Sequence, residues 1–552
     1  MILAILGAAL AGDAPTVLDV FGEWVTKARD ELVLDGQRPY RVVIGAQDRD
    51  RYSVSAEFGS LFAEGDERSR PGLVEVVVGD LQLDSSRFSA RNNAPGASRN
   101  RPSFVVEDVP LAIERDLWLT TDDSFKTAVQ RYQQKASALS QLPTAYPPSW
   151  TPVEPVTSVR HAERLPFDRE ALRALAVEGS RAFREVPGLR NGWVEVVVEQ
   201  GEVELATSEG VRLVEPEERA VVYAWCDVVR SDGVQVFEEA QHIVVHPGQL
   251  PTIAELQAEL RAMGERVRRR AEAPVVDDYE GPVVFEGQAA AQMFTWLVAA
   301  ELEGTPPDPR PGATWEQLVR GGPRIGRRLL PAGWSVYDDP AAFPTDVPGG
   351  YAYDREGVRG ERVELVRDGY VVDLVMSRVP RPERPASNGH ARGPIQGEWE
   401  GRLSSWTLAA PRNLPDRAFD RMVEKARRAS GQDRVLVVRS FQRGRPGSLP
   451  RPTDAVWRYA DGREEPVLSV QFQNTNRRTL KDVLAVGGGE VARAYLAANS
   501  RGGTDGTTSG LPSLVHCPAR VLVDDLEANF PGSDRQADTY PMPPLSTGEA
   551  RP

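Results

Sequence analysis

The stretch Gln288–Leu302 constrains this chain more than any other, because it is apolar around almost the whole circumference of a helix. A helix on a protein surface keeps a polar face, so a helix without one belongs in a core. The stretch is also too short to cross a bilayer, which takes about 20 consecutive apolar residues. The sequence therefore predicts a helix buried inside a domain large enough to surround it.

The length and charge of the chain set its broad class. A chain of 552 residues is too long to fold around one hydrophobic core. At about 100–200 residues per domain, we expect about three domains. Hydrophobic residues make up 41% and charged residues 26%, as in soluble globular proteins. The net charge of −14 argues against nucleic acids and anionic membranes, whose phosphates need a basic face. We expect no nucleic-acid partner and no membrane span.

The N-terminal run Met1–Ala11 is apolar and ends in the A-x-A pattern Ala9-Leu10-Ala11. That ending is typical of a signal-peptide cleavage site, although only the α-amino group supplies the usual positive charge before it. The run suits either a signal peptide, assigned to residues 1–15, or a buried first strand or helix. The first interpretation predicts an exported, periplasmic protein, and the second a cytoplasmic one.

Hydrophobic periodicity divides the remaining chain into three regions and a tail. Residues 16–150 and 160–275 each mix helical patterns with short β-branched runs, and a proline-rich stretch separates the two regions. Residues 276–530 begin with the buried helix and are then predicted to be mostly strands. Residues 531–552 are rich in Pro, Gly and Asp and are predicted to be disordered. The predicted fold class is α+β: an N-terminal α+β region followed by a mostly-β C-terminal domain with a buried helix near its start.

Local signals predict several boundaries within these regions. Thr121–Leu139 has helical periodicity, with Asp122 or Asp123 as a candidate N-cap. Asp232-Gly233 predicts a tight turn between two strands, and Arg367–Tyr370 predicts a hairpin.

The usual catalytic motifs are missing from the sequence. It contains no GxxxxGK[ST] phosphate loop, no GxSxG elbow, no HExxH and no CxxC pair. His242 and His246 lie four residues apart in a predicted strand, where about 13 Å would separate them, too far to share a metal. The pair Asp338-Asp339 precedes turn residues, and we interpret it as a pair of turn carboxylates, with a hydrolytic pair as the alternative.

Three further side chains could donate to a metal. His516 and Cys517 are adjacent, so on a strand they face opposite sides, and joint ligation would need a bend such as Pro518 could supply. The alternative for Cys517 is a small buried hydrophobe. His390 lies in Ser387–Arg392 beside an Asn-Gly turn, which makes it either a structural loop histidine or a relocated ligand.

Several segments, taken in chain order, resemble motifs of the TldD/PmbA family, the metallopeptidase-related proteins also called modulators of DNA gyrase. Two resemble the family's turns "NSEG" and "DxEG", one resembles the opening of its C-terminal domain, and others resemble a following loop and the closing strand. In chain order, these segments are Thr207–Gly210 (a turn), Asp278–Glu286 (the domain opening), Tyr353–Gly357 (a turn), Ser387–Arg392 (the loop), and Pro512–Val515 and Val521–Glu527 (the closing strand). On these residues the chain is identified as a relative of that family.

The resemblance also implies where zinc would be held in an active member. Such members resemble zinc metallopeptidases with HExxxH on a buried helix that ends in x-L-E-G-D, and Glu301–Thr305 resembles that ending. Counting back, the first His, the Glu and the second His fall on Thr295, Trp296 and Ala300. None of these binds zinc as His does, and neither Trp nor Ala can act as a base. The family's metal-binding Cys has no clear counterpart here.

The resemblance therefore implies a pseudoenzyme of the TldE type, with no catalytic residue and no cofactor of its own. It would form a homodimer, or a hetero-oligomer with a zinc-bearing TldD-like subunit, and would act on peptides. Two alternatives stay open from the residues themselves. One is an exported binding or scaffold protein that kept the fold. The other is a metallopeptidase whose zinc is held by relocated ligands.

Overall fold

The computed structural model describes residues 15–89, 99–143, 146–275, 278–319, 321–498 and 506–530. Apart from residue 15, the predicted signal peptide and the predicted disordered tail lie outside the described residues. The N-terminal region, up to residue 275, contains four helices and nine strands within the described ranges. These are α1 Val17–Glu31, β1 Pro39–Glu57, β2 Ser60–Ser69, β3 Gly72–Val78, β4 Arg99–Asn100, α2 Pro110–Leu139, β5 Val156–Val159, α3 Arg169–Arg181, β6 Asn191–Thr207, β7 Val211–Pro216, β8 Arg219–Val229, β9 Gln235–Val244 and α4 Ile253–Glu272.

One nine-stranded sheet runs through this whole region. Its spine is the antiparallel pair β1 and β6, which are matched from Val43–Thr207 to Glu57–Trp193. The first half of β1 also pairs with β3 and its second half with β2. Likewise β6 pairs with β7 along one half and with β8 along the other. Residues 16–150 and 160–275, predicted as separate regions, thus contribute strands to the same sheet.

Alternation along the strands divides the apolar side chains between two faces. On one face, α1 and α2 cover Val42 and Ile44, and farther along the sheet α3 and α4 cover residues such as Val196. On the opposite face, Val43 packs with Trp399 of the C-terminal domain. The N-terminal sheet is therefore buried on both sides where the two parts of the chain meet.

The C-terminal domain contains thirteen strands and three α-helices within the described ranges. These are β10 Tyr279–Glu286, α5 Gln288–Val298, α6 Trp315–Val319, β11 Ser335–Asp338, β12 Val363–Arg367, β13 Tyr370–Val371, β14 Ala391–Arg392, β15 Glu400–Gly401, β16 Ser405–Ala409, α7 Asp416–Ala429, β17 Arg434–Phe441, β18 Pro452–Tyr459, β19 Glu464–Pro466, β20 Gln471–Phe472, β21 Val483–Ala497 and β22 Leu511–Asn529. Eleven of these strands form one mixed sheet, and β14 and β15 pair separately. The predicted α+β class is confirmed.

The run Val283-Val284-Phe285 on β10 explains why α5 lies where it does. Val283 and Phe285 share a core with α5, while Val284 points to the other face, under α7. A strand covered on both faces needs an unbroken apolar run, which is what the sequence provides. The helices α5 and α7 therefore sandwich the sheet.

The start of helix α2 was predicted wrongly. The helix begins at Pro110, because proline suits the first helical position, where no N–H bond is needed. Asp122 and Asp123 lie inside the helix rather than at its N-cap. Asp122 pairs with Lys126 one turn later, and Asp123 accepts a hydrogen bond from Asn100.

The other turn predictions are confirmed. Asp232-Gly233 joins β8 and β9. The β12–β13 hairpin turns at Asp368 and Gly369, whose φ angles are 49° and 79°. Among the described residues, no helix combines the length and the apolar character that a membrane crossing needs.

Candidate functional site

The helix α5 is buried along its length, as predicted. Every position from Ala289 to Val298 is buried, and Trp296 is only 1% exposed. Gly287, with φ of 56°, allows the sharp turn from β10 into the helix.

The Trp296 indole is enclosed by the segment that joins β17 to β18. Its ring meets Phe441 edge to face, with the ring centroids 5.4 Å apart. The N–H of Gly447 donates to the Trp296 carbonyl at 2.7 Å. Gly444 lies so near the indole that an added Cβ would be 3.1 Å from its ring. An indole therefore occupies the core at the position that the resemblance assigns to the catalytic Glu.

The two positions assigned to histidines are Thr295 and Ala300. Thr295 is buried, and its hydroxyl donates to the Ala291 carbonyl of its own helix at 2.9 Å. The α-helix ends at Val298, so that Ala300 lies in the 3-10 turn Ala299–Glu301. A hydroxyl already bonded to the backbone, an indole and a methyl group do not fit a zinc site, which needs imidazole, thiolate or carboxylate ligands.

The Leu302-Glu303-Gly304 ending has a packing role. Glu303 forms a bridge with Val375, and the Gly304 N–H donates to the Val375 carbonyl at 2.9 Å. A Cβ at Gly304 would collide with the Met376 Sδ atom and with Leu374 Cβ. Only glycine fits there without displacing residues 374–376, which explains this part of the pattern.

The candidate ligand His390 is fully buried, and both of its ring nitrogens lie near an oxygen, although the geometry at Nε2 does not form a hydrogen bond. Its Nε2 lies 3.1 Å from Asp338 Oδ2, and its Nδ1 lies 2.9 Å from the Asn388 carbonyl oxygen. Ser404 donates to Asp338 through both its N–H and its hydroxyl. This arrangement favours the structural interpretation of His390. It also corrects the interpretation of Asp338, which lies in β11 rather than in a turn, whereas Asp339 accepts the turn bond from Ala341.

The adjacent donors His516 and Cys517 lie on β22, which continues through Pro518 without interruption. Cys517 is buried in the main core, and His516, on the other face, is half-buried. Burial raises the pKa of the Cys517 thiol to about 12, which disfavours the thiolate that binds metals. Across the described ranges, no three His, Cys, Asp or Glu side chains lie close enough together to hold a metal ion.

Two of the segments that carry the resemblance, the turns with Glu209 and Glu356, meet around Arg378, at the boundary between the N-terminal sheet and the C-terminal domain. The Arg378 guanidinium donates to both carboxylate oxygens of Glu209, at 2.7 and 3.0 Å. Its backbone N–H donates to Glu356 at 2.6 Å, and its Nε to the Thr151 carbonyl at 2.8 Å. We call these residues, with Arg41 and Trp150, the Arg378 junction.

Stacking completes the Arg378 junction. The Arg41 guanidinium lies 4.3 Å from the centre of the Trp150 ring, and that of Arg378 lies 5.7 Å from it. Arg41 also donates to Glu209 at 3.0 Å. Two cations thus share one anion and one aromatic ring in a buried space, where such contacts are stronger than at the surface.

The acids of the junction differ in their pKa values. Burial alone would raise the pKa of Glu209, but Arg378 and Arg41 outweigh it and hold that pKa below its usual value. Burial, and then the neighbouring Glu356, raise the pKa of Asp354 to about 8, although three backbone N–H groups donate to it. Burial also raises the pKa of Glu356. The buried pair Asp354 and Glu356 therefore retains a proton near neutral pH.

The comparisons with known proteins agree with this geometry. Residues 279–527 match the family model described as "PmbA/TldA metallopeptidase C-terminal domain". The C-terminal domain is therefore a domain of the TldD/PmbA family. A protein of Methanothermobacter thermautotrophicus named "Metalloprotease" is 29% identical over 170 residues, which are 30% of this chain and 35% of that protein. The match thus spans about a third of that relative's length.

Two solved structures share the fold of this chain. TldE from Thermococcus kodakarensis has a TM-score of 0.55 at 13% identity, covering 89% of this chain and 96% of that chain. A candidate modulator of a DNA gyrase from Thermotoga maritima has a TM-score of 0.56 at 12% identity, covering 88% and 96%. At such identities the likeness concerns the fold alone. The C-terminal domain is thus related to a metallopeptidase family, and the chain shares the fold of these two structures.

The sequence patterns did not predict Arg378 and Trp150, the centre of the junction. Arg378 follows the apolar run of a predicted hairpin, and nothing in its neighbours marks it as buried. The one available signal was indirect. Glu209 and Glu356 each stand in a family-like turn, and two buried carboxylates require a shared cation.

The paired acids predict a particular pH dependence of stability. The folded chain keeps a proton up to about pH 8 that the unfolded chain releases near pH 4, so stability should fall as pH rises between these values. Glu356→Gln keeps an acceptor for the Arg378 N–H and removes one acid of the pair. We expect it to reduce the slope of unfolding free energy against pH without abolishing it, because burial, the larger cause, still raises the pKa of Asp354.

Urea unfolding at a series of pH values measures that slope. The matched control is Glu361→Gln, at a nearby exposed glutamate, which should leave the slope unchanged. Parallel curves for wild type and Glu356→Gln would contradict the assignment of the shared proton to this pair.

Proposed function

We propose that this chain is a non-catalytic, TldE-type subunit that shapes a peptide-processing chamber together with a zinc-bearing relative. The observation that supports the proposal is the buried Trp296, at the position that the resemblance assigns to the general base of an active member. Family membership supplies the link to peptide chemistry, and the likeness to a structure named TldE is consistent with it.

The proposal assigns zinc binding and hydrolysis to one chain and enclosure of the peptide to the other. A zinc peptidase needs three protein ligands, an activated water and an enclosed space for the peptide. The zinc ligands and the activated water cannot come from Thr295, Trp296 and Ala300. The well-packed sheets and the Arg378 junction can form a rigid wall of the enclosed space that holds the peptide. The zinc-bearing relative would hold the metal and carry out hydrolysis.

Mixing experiments test this division. The purified chain is combined with an HExxxH-bearing relative from the same organism, and peptidase activity is measured on a mixed peptide library. We expect no cleavage and no stoichiometric zinc for this chain alone, with co-elution and cleavage for the mixture. The control is a relative whose motif Glu is replaced by Gln, which should make the mixture inactive. Peptide cleavage by this chain alone, or failure to associate with the relative, would overturn the proposal.

Restoring the motif should not restore activity. Thr295→His, Trp296→Glu and Ala300→His together would provide two imidazoles and a carboxylate, but not the third protein ligand that catalytic zinc sites have. We therefore expect weak zinc binding and no peptidase activity. A carboxylate in place of the buried indole should also destabilise the domain by several kcal/mol.

Zinc content after dialysis and cleavage of the peptide library measure these two outcomes. Thr295→His alone, with one imidazole, is the matched control and should bind no more zinc than wild type. Peptidase activity in the triple variant would mean that a third ligand exists. Zinc binding no better than wild type, with the fold intact, would mean that the motif lies elsewhere on the helix.

A further inference from the structure

The N-terminal sheet carries aromatic side chains on the face that points away from α3 and α4. Trp193 on β6 pairs directly with Trp225 on β8, so both indoles lie on this face, and both keep part of their surface exposed. Phe62 on β2 is 67% exposed and meets Trp193 edge to face, with the ring centroids 4.8 Å apart. We call this surface the tryptophan face. Exposed aromatic side chains grouped in this way are typical of a binding surface.

Two carboxylates flank Trp193 on the tryptophan face. Glu57 on β1 is the direct partner of Trp193 across the sheet, and Glu195 is the second residue after Trp193 on β6. Directly opposed side chains of a sheet lie about 5 Å apart, and alternate residues of one strand about 7 Å apart. A single cation above the indole can therefore reach both carboxylates.

The cations of the chain neutralise these two carboxylates only in part. Arg51 lies 3.8 Å from Glu195, but it donates to Glu199 at 2.8 Å. Burial raises the pKa of Glu195 more than Arg51 lowers it. Among the described residues, no cation lies within ion-pair distance of Glu57. The face thus combines aromatic rings with negative charge, and this combination recognises a cation.

The tryptophan face lies next to the segment that encloses Trp296. Glu239 on β9 is the direct partner of Trp225. Arg443, from the segment between β17 and β18, donates to Glu239 through its backbone N–H at 2.8 Å and through Nε at 3.1 Å. The next residue, Gly444, adjoins the Trp296 indole. Two consecutive residues therefore connect the tryptophan face to the helix position that the resemblance assigns to the general base.

We propose that the tryptophan face binds a basic side chain, Arg or Lys, of an extended peptide. This inference rests on the proposed function, because it names the class of peptide that the chamber holds. The cation lies over the Trp193 ring, with Glu57 and Glu195 beside it. An extended peptide can place a basic side chain there because its alternate side chains point to one side. The net charge of −14 attracts such a peptide from a distance.

Isothermal titration calorimetry of the purified full-length chain tests this inference. The probe is acetyl-Ala-Ala-Arg-Ala-Ala-amide, and the reference is the same peptide with citrulline, which has the shape of arginine without its charge. We expect the arginine peptide to bind at least about tenfold more tightly than the citrulline peptide. Equal Kd values for the two peptides, or no binding of either, would overturn the proposal.

Variants locate the binding surface. Trp193→Ala and Glu195→Gln should each raise the Kd of the arginine peptide by about three- to tenfold. The matched controls are Trp118→Ala and Glu361→Gln, which remove an exposed indole and an exposed carboxylate elsewhere and should leave the Kd unchanged. Glu195→Gln keeps the shape of the side chain, so it tests the proposal even if Trp193→Ala disturbs the sheet. A Kd that changes as much in the controls as in the face variants would overturn the proposal, because binding would then report only the overall charge.

These titrations use this chain alone and measure binding rather than cleavage. If the chain fails to associate with a zinc-bearing relative, the proposed function is wrong, but the Kd values for the two peptides are unaffected. Conversely, a chain that does not distinguish the two peptides can still complete an active mixture. The two proposals can therefore fail separately.

Discussion

Arg378→Met should lower the free energy of unfolding by about 3 kcal/mol, because it removes two charge-assisted hydrogen bonds to Glu209 and leaves Arg41 as the only cation beside that carboxylate. The Arg378 side chain is buried and donates to both oxygens of Glu209. Methionine fills much of the same volume, so the loss reports on charge rather than on a cavity. Urea unfolding followed by circular dichroism measures the change.

The matched control for this prediction is Arg261→Met. Arg261 also donates two hydrogen bonds to a glutamate, Glu185, at 2.6 and 3.0 Å, but both side chains are exposed. Water and salt screen such a pair, so its loss should change stability little. Combining Arg378→Met with Glu209→Gln should cost less than the sum of the two single changes. Equal losses at Arg378 and Arg261 would contradict the argument from burial.

Trp296→Ala should destabilise the C-terminal domain by about 3–5 kcal/mol through the cavity that it leaves. The indole is buried among Phe441 and the segment that carries Gly444 and Gly447. Trp296→Phe keeps an aromatic ring against Phe441 and should cost clearly less. Urea unfolding, again followed by circular dichroism, provides the comparison.

Trp118→Ala is the control for the Trp296 prediction, because it removes an indole of the same size from an exposed site. It should change the stability of the chain far less than Trp296→Ala does. A small effect at Trp296, with the fold intact, would mean that the segment between β17 and β18 collapses into the vacated space. The tight fit of the indole would then not matter for stability.

Elements with one strong periodicity could be predicted from the sequence. The buried helix α5 was predicted because its apolar residues surround the helix axis, and no other environment suits such a pattern. The hairpin at Asp368 and Gly369 was predicted because these residue types tolerate positive φ at a tight turn. In both cases the information lies in a few neighbouring residues.

Features that depend on distant residues could not be predicted in the same way. Strand β2 was missed because all but the last of its residues are exposed and several are acidic, so it lacks the apolar alternation of a strand. Its pairing with β1, not its composition, makes it a strand. The Arg378 junction was missed for a related reason. Its residues come from positions as far apart as Arg41 and Arg378, and no local pattern reports that they meet.

The position of β22 in the C-terminal sheet has a consequence for how the chain is made. This strand is the last of the described strands, yet it pairs with β10, β16, β20 and β21. During synthesis from the N-terminus, the edges of β10 and β16 that pair with β22 therefore stay unpaired until residues 511–529 have emerged from the ribosome. Open strand edges invite pairing with other chains. The N-terminal sheet needs only residues up to 244, so it can be complete while the C-terminal sheet is still exposed to misassembly on the ribosome.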